Sequence, residues 1–246
     1  MKKRRIIYSV ILGLLVLFVL YLYNETNGNP VSKFFSTKVL ENYLEETYPD
    51  REFRIEEGFY NFKFSTYDYN VIEIGAAAPN ENGPKSYEFT VRGLIQPSVL
   101  LDSIYTENLD QPLMEKLSEE AQKEITSLLK QSVPNVKGMG VALEVQKGAY
   151  DMNTTWSKDM KLEKPLSMHI VLDSTQSTRE DVLTESQVIQ KVLNDNNYAY
   201  SDVTINGNII DDTNAEYVKD ENGYVKYYVS FERDTVMELK DIEVLE

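Results

Sequence analysis

Few residue types in this chain could carry catalysis or bind a metal. The single histidine, His169, falls on a strand predicted at 166–172, on the face opposite Met168 and Ile170. One histidine could act as a ligand or as a base, but without a second histidine or any cysteine a transition-metal site would need carboxylates alone. A histidine on the surface of a strand is the favoured interpretation. His169 is therefore kept as a binding candidate, and no metal site or cofactor is predicted.

Nucleophile and carboxylate motifs are also sparse. Ser127 and Lys130 match the S-x-x-K spacing in which a lysine activates a serine, but the companion motifs of that chemistry are missing. The acidic pairs at 56–57 and 211–212 could serve acid–base catalysis if two carboxylates converged. Nothing in the sequence brings them into one cleft, so solvated surfaces are favoured. We predict no enzymatic activity and retain a carboxylate-based hydrolase as an alternative.

Aromatic residues are the compositional oddity of the chain, which has 17 tyrosines and 9 phenylalanines. Alternation along the predicted strands puts Phe59, Tyr224 and Tyr228 on outward-facing positions. Exposed aromatic rows can bind extended peptides or glycans, although tyrosine also fills half-buried sheet surfaces. These three residues join His169 as the predicted binding candidates.

An uncharged apolar run at residues 6–23 says most about location. Its length of about 18 residues lies in the range that crosses a bilayer as a helix. Four basic residues at 2–5 precede it, and Asn24 and Glu25 follow, which places the N-terminus in the cytoplasm. A cleaved signal peptide is disfavoured because its apolar core is usually shorter and ends at small residues. We predict a single-pass anchor, with a cytoplasmic tail at 1–5 and a stalk at 24–28.

Charge and cysteine content narrow the remaining classes. The net charge is −15, and the part after the apolar run is more acidic still because four basic residues precede it. Such an acidic body lacks the basic footprint that nucleic-acid binding requires. The absence of cysteine excludes disulfides and thiol chemistry. The extracytoplasmic part must therefore be stabilised by packing alone.

Hydrophobic periodicity predicts an α+β fold with two extracytoplasmic domains, each built from helices and antiparallel sheet. In the N-terminal αβ domain, at 29–94, Asn29 caps a helix that begins with proline, and alternating strands follow. The C-terminal domain, at 95–246, reads as helix, two strands, helix, two strands. Thr178 caps its second helix, with Asp181 at the third position.

Three segments carry a resemblance to a known family: 23–33, 43–49 and 60–64. They resemble the YfjL-like family of single-pass proteins from Gram-positive spore-forming bacteria. The resemblance implies a membrane-anchored αβ unit followed by an α+β domain, with no established activity and no catalytic residue to transfer. At the level of fold alone, helix-plus-sheet units are similar to PepSY-type modules that are linked to protease inhibition.

The function predicted from these observations is that of a non-catalytic binding or scaffold protein at the cell membrane. The membrane is contacted through residues 6–23, and the partner is an extracellular protein, a peptide or a cell-wall component. A protease-inhibiting or chaperone-like module is the alternative drawn from the PepSY analogy. The hydrolase alternative requires two carboxylates in one pocket.

Overall fold

The computed structural model describes residues 2–77, 83–92, 97–210 and 223–245, except for the side chains of 2–6, Ser9, Glu25 and Ala77. The chain forms two compact units, Met1–Glu107 and Asn108–Glu246. Both contain helices and a β-sheet, so the predicted α+β class is confirmed.

The first unit begins with two consecutive helices, α1 at Lys2–Asn27 and α2 at Pro30–Thr47. The predicted start of α2 is confirmed: the Asn29 side chain accepts a hydrogen bond from the Ser32 backbone N–H at 2.8 Å, and proline occupies the first turn. Within the described residues, no helix combines the length and the apolar character that a membrane crossing requires.

An antiparallel sheet follows these helices in the first unit. Its strands and the short helix after them are β1 Phe53–Ile55, β2 Phe59–Asn61, β3 Thr66–Ala77, β4 Pro84–Arg92, β5 Val99–Asp102 and α3 Ser103–Glu107. The strand order is β1-β3-β4-β5, and β2 also pairs with β3. The sequence-based boundary at 94/95 falls before β5, whereas the unit continues to Glu107 because β5 pairs with β4.

Helix α2 covers one face of this sheet. Its buried residues recur every four positions, which gives the helix one face toward the strands. The opposing sheet residues are those at alternate strand positions, so the helix and one face of the sheet enclose the core. The core residues are Leu40, Leu44, Tyr67, Tyr69, Val71, Tyr87, Phe89, Val91 and Ile104. The other face of the sheet carries polar side chains.

The second unit has the order helix, two strands, helix, strands. Its elements are α4 Gln111–Lys130, β6 Val136–Ala142, β7 Leu166–Asp173, α5 Arg179–Asp195, β8 Tyr200–Ile209, β9 Tyr224–Phe231, a 3-10 turn at Leu239–Asp241 and β10 Glu243–Val244. The strand order is β10-β9-β8-β7-β6.

The prediction of purely antiparallel sheet is wrong for this unit, because β7 and β8 run parallel. Helix α5 lies between them in the chain, and such a crossover returns the chain to the same end of the sheet. The predicted cap of α5 is confirmed: Thr178 and Asp181 form a reciprocal capping box. Both helices contribute buried apolar residues to one core with the sheet.

One ion pair stabilises the first unit by joining Arg51, which lies two residues before β1, to Glu73 on the neighbouring strand β3. The Arg51 guanidinium donates to both carboxylate oxygens of Glu73, at 2.8 and 2.6 Å. Tyr87 Oη donates to the same carboxylate at 3.0 Å. The guanidinium also lies within 5.1–5.4 Å of the ring centres of Tyr48, Phe53 and Tyr87. The hydrogen bonds from Arg51, followed by that from Tyr87, lower the pKa of Glu73.

We expect Glu73→Gln to lower the free energy of unfolding at pH 7 by about 1–2 kcal/mol, since it removes charge-assisted hydrogen bonds. The pKa of Glu73 is lowered from 4.5, so the contribution is present above pH 4.5 and is lost as the pH falls through the lowered pKa. Urea unfolding of both chains between pH 7 and pH 3 measures this. The gap should narrow toward pH 3, and a gap that stays constant contradicts the assignment.

Candidate functional site

The face of the first sheet opposite its core carries the strand residues that alternate with the core residues, and on β4 these are polar. The core residues of β4 are at 87, 89 and 91, which sends Glu88, Thr90 and Arg92 to the other side. The register pairs Asp68 with Thr90 and Asn70 with Glu88. These five side chains therefore share one open surface.

This surface forms the floor of a broad cleft of about 760 Å³. Phe64 and Leu100 contribute apolar walls beside the polar floor. The volume falls in the range of about 300–1,000 Å³ that is typical of ligand sites. The cleft is open along the sheet and does not enclose its contents, so an elongated ligand fits it better than a compact one. We call it the sheet cleft.

Hydrogen bonds fix part of the floor of the sheet cleft. Thr90 Oγ1 donates to Asp68 Oδ1 at 2.8 Å, and Asn61 Nδ2 donates to Asp68 Oδ2 at 3.3 Å. Across the part of the chain that the structure describes, Glu88 and Arg92 form no ion pair. They stand four residues apart on one strand face, which corresponds to about 13 Å. The cleft thus presents an acid and a base that are both available to a ligand.

Two carboxylates line the cleft together, which the hydrolase alternative required. Asp68 and Glu88 are diagonal neighbours across β3 and β4. The acidic pair at 56–57 does not form such a site: Glu56 accepts from Asn70 Nδ2 at 2.7 Å, while Glu57 pairs with Lys33 at 2.8 Å. The pair at 211–212 lies outside the described residues.

Phe59 is the predicted binding residue that the structure places beside the sheet cleft. It lies on β2 directly opposite Asp68, so its side chain leaves the sheet on the open face. It is 69% exposed. The cleft floor itself was missed in the sequence, although the alternation of buried aromatics on β4 marks Glu88 and Arg92 as residues of the opposite face.

His169 and Tyr228 share the open face of the sheet in the second unit. His169 pairs with Thr204, and Tyr228 pairs with Asn206 two residues further along β8. Residues two apart on a strand point to the same side. His169 is exposed, and among the described residues no group of His, Asp or Glu could hold a metal ion.

Tyr224 does not join that surface. It pairs with Ile209, three residues beyond the Asn206 that faces Tyr228, because β9 has a bulge between these pairs. Partners three apart on one strand project to opposite sides, so the bulge separates Tyr224 from Tyr228. Simple alternation along the sequence put both on one face, and the structure corrects that assignment.

Ser127 and Lys130 do not form a catalytic pair. The Ser127 hydroxyl donates to the backbone carbonyl of Lys123 at 2.9 Å, one turn earlier in α4. This bond is a common way for a helical serine to satisfy its hydroxyl. The motif is therefore part of an ordinary helix.

The fold and the sheet cleft define a two-unit α+β protein with a ligand-sized groove on an open sheet. The family models for the YfjL-like N-terminal domain and the YfjL-like C-terminal domain match residues 3–103 and 120–246. The protein of Bacillus subtilis (strain 168) named "Uncharacterized protein YfjL" is 30% identical over 244 residues, which cover 96% of this chain and 98% of that protein. The chain belongs to the YfjL-like family. No solved structure matches it.

Proposed function

We propose that this chain is a membrane-attached, extracytoplasmic binding protein that holds an extended polypeptide in the sheet cleft without catalysing a reaction. The observation that carries the proposal is the open polar floor with Glu88 and Arg92 both available for pairing. The remaining elements of the proposal are attachment through α1 and the polypeptide nature of the ligand.

Attachment through α1 is supported by its exposed apolar surface. The large apolar and aromatic side chains of the described part of α1, from Ile7 to Tyr23, are 45–68% exposed at every position. Exposed apolar side chains along the whole described part of the helix favour contact with lipid over contact with water. The basic residues at 2–5 favour a cytoplasmic N-terminus, which leaves the rest of the chain outside.

An extended polypeptide suits the sheet cleft in length and in chemistry. About 13 Å of strand separates Glu88 from Arg92, and an extended peptide of about four residues spans that distance. Its basic side chain would pair with Glu88 and its acidic side chain or carboxylate with Arg92. Leu100 and Phe64 offer apolar contacts to the intervening residues. Opposite charges at a fixed spacing select both sequence and direction.

Photo-crosslinking tests the proposal in cells. The full chain, made in Bacillus subtilis with a benzophenone amino acid at Leu100, is expected to form a discrete adduct with a polypeptide on irradiation. Exchange of the two charges, Glu88→Lys with Arg92→Glu, is expected to reduce that adduct at least tenfold, because each charge then repels its partner. The same probe at Val236, which is 84% exposed in the second unit, is the control. A missing adduct, or one indifferent to the charge exchange, contradicts the proposal.

The hydrolase alternative is favoured only by the presence of Asp68 and Glu88 in one cleft. Both oxygens of Asp68 accept hydrogen bonds from neighbouring side chains, and the cleft is open to water rather than closed around a substrate. Mass analysis of the adduct separates the two functions. A binding protein holds the same intact polypeptide in the parent chain and in Asp68→Asn, whereas a hydrolase holds a shortened one only in the parent chain.

A further inference from the structure

The junction between α1 and α2 is held firmly against the first sheet. Gly28 follows the last residue of α1 with a φ of +71°, and Asn29 caps the start of α2. The Tyr67 hydroxyl donates to the Asn29 carbonyl at 3.1 Å and lies 3.2 Å from the Asn29 backbone N–H. The side chains of Tyr60 and Tyr67 lie directly against Gly28. The C-terminal end of α1 is therefore fixed beside Tyr60 on β2 and Tyr67 on β3.

That end of the unit carries exposed phenylalanines on separate segments. Phe34 and Phe35 lie in the first turns of α2, directly after the junction, and their rings contact edge to face at 5.7 Å. Phe62 and Phe64 lie in the turn between β2 and β3, next to the strands that hold Tyr60 and Tyr67. All of them are 47–67% exposed. We call these four residues the aromatic rim.

We propose that the aromatic rim lies in the lipid–water interface and rests the first unit on the bilayer surface. The inference rests on the proposed attachment through α1. The four exposed rings lie close in sequence to Gly28, Tyr60 and Tyr67, which pack together where α1 meets the folded unit. Aromatic rings at this depth fit the headgroup region. Lys63 Nζ lies 5.2 Å from the Phe64 ring centre and supplies a cation for lipid phosphate.

The position of Phe64 adds a consequence for the ligand. This residue belongs to the aromatic rim and also lines the sheet cleft. One end of the cleft therefore opens at the bilayer surface. A polypeptide bound there lies within a few residues of the membrane, which selects for membrane-anchored or newly exported chains over freely diffusing ones.

Depth-dependent quenching of tryptophan fluorescence tests the rim. The chain has one tryptophan, so Trp156→Phe provides a background into which single probes are placed. Phe64→Trp reports on the rim, and Ile74→Trp is the matched control. Ile74 is 53% exposed on β3, the strand that begins two residues after Phe64, and lies roughly 30 Å from Phe64 along that strand. Each full-length chain is reconstituted into phosphatidylcholine–phosphatidylglycerol vesicles that contain lipids brominated near the headgroup.

The expected result is at least a twofold loss of emission for the probe at 64 and no loss for the probe at 74. Flotation of the vesicles is measured on the same samples. Chains that float with the vesicles while the probe at 64 stays unquenched overturn the rim proposal and leave the attachment intact. Chains that fail to float overturn both. Equal quenching at 64 and 74 also overturns the rim, because the unit would then lie on its side.

Discussion

Replacing Asp102 with leucine is expected to lower the free energy of unfolding of the first unit by about 3 kcal/mol. Asp102 is 9% exposed at the end of β5. Its Oδ2 accepts hydrogen bonds from the hydroxyls of Tyr43 at 2.8 Å and Tyr48 at 2.7 Å, and its Oδ1 accepts one from the Tyr105 backbone N–H at 3.0 Å. Leucine removes the acceptor of these three half-buried donors, and a group left unsatisfied costs about 1–3 kcal/mol when it is fully buried, so a total of about 3 kcal/mol is expected for the three together.

The hydrogen bonds to Asp102 tie α2 to the last strand of the sheet. Burial, reinforced by the Asp102 carboxylate, raises the pKa of Tyr43 to about 12, which keeps its hydroxyl protonated as a donor. Urea unfolding in mild detergent, followed by far-UV circular dichroism, measures the loss. Asp50→Leu is the control, since Asp50 is exposed in the same unit and should change stability by no more than about 0.5 kcal/mol. Equal stability of the Asp102→Leu and Asp50→Leu chains contradicts the role given to the buried carboxylate.

Local signals in the sequence predicted the helix starts. Asn29 and the capping box of Thr178 with Asp181 act through bonds between a side chain and backbone a few residues away, so neighbours in sequence suffice to identify them. Strand β5 gave no such signal because it is short, lies at a sheet edge and contains a bulge opposite β4. Its existence depends on a distant strand, which alternation within 99–102 cannot report.

To predict the sheet cleft from the sequence, the register between strands must be known as well as the alternation within each strand. Buried residues at 87, 89 and 91 indicate which β4 side chains face outward, but the alignment of Asp68 with Thr90 is a pairing between strands. A shift of one residue would send Asp68 to the core face. The misplacement of Tyr224 has the same origin, since a bulge in β9 changes the side on which a residue lies without changing the sequence pattern.

The need for strand register also explains why the predicted binding residues lie on two different sheets. Phe59 was selected for its exposed aromatic ring, and it lies on the same open face as Asp68 because β2 pairs with β3 in that register. His169 and Tyr228 lie on the open face of a different sheet. Nothing in the sequence around Glu88 and Arg92 distinguishes them from the other charged residues of the chain. Their significance comes from a cleft that exists only when the strands are assembled.

Gly28→Ala is expected to lower the free energy of unfolding by about 2–4 kcal/mol, which combines a left-handed backbone with a steric clash. The φ of +71° favours glycine, and a Cβ there would lie 2.5 Å from Tyr67 Oη and 2.8 Å from Tyr60 Cγ. Tyr67 is buried and bonded to Asn29, so it cannot move aside without breaking the junction. The substitution should therefore loosen the attachment of α1 to the sheet as well as lower stability.

Alanine substitutions at two other glycines of the first unit separate the backbone contribution to this loss of stability from the steric contribution. Gly75 has a φ of +84° with no atom within 4 Å of an added Cβ, so Gly75→Ala should show the backbone cost alone, about 1 kcal/mol. Gly13, in α1, has neither strain nor a close neighbour, and its replacement by alanine should be neutral or slightly stabilising. Urea unfolding of the three variants in the same detergent ranks them. If Gly28→Ala costs no more than Gly75→Ala, Tyr60 and Tyr67 yield to the added methyl group, and the α1–α2 junction is not held by these tyrosines.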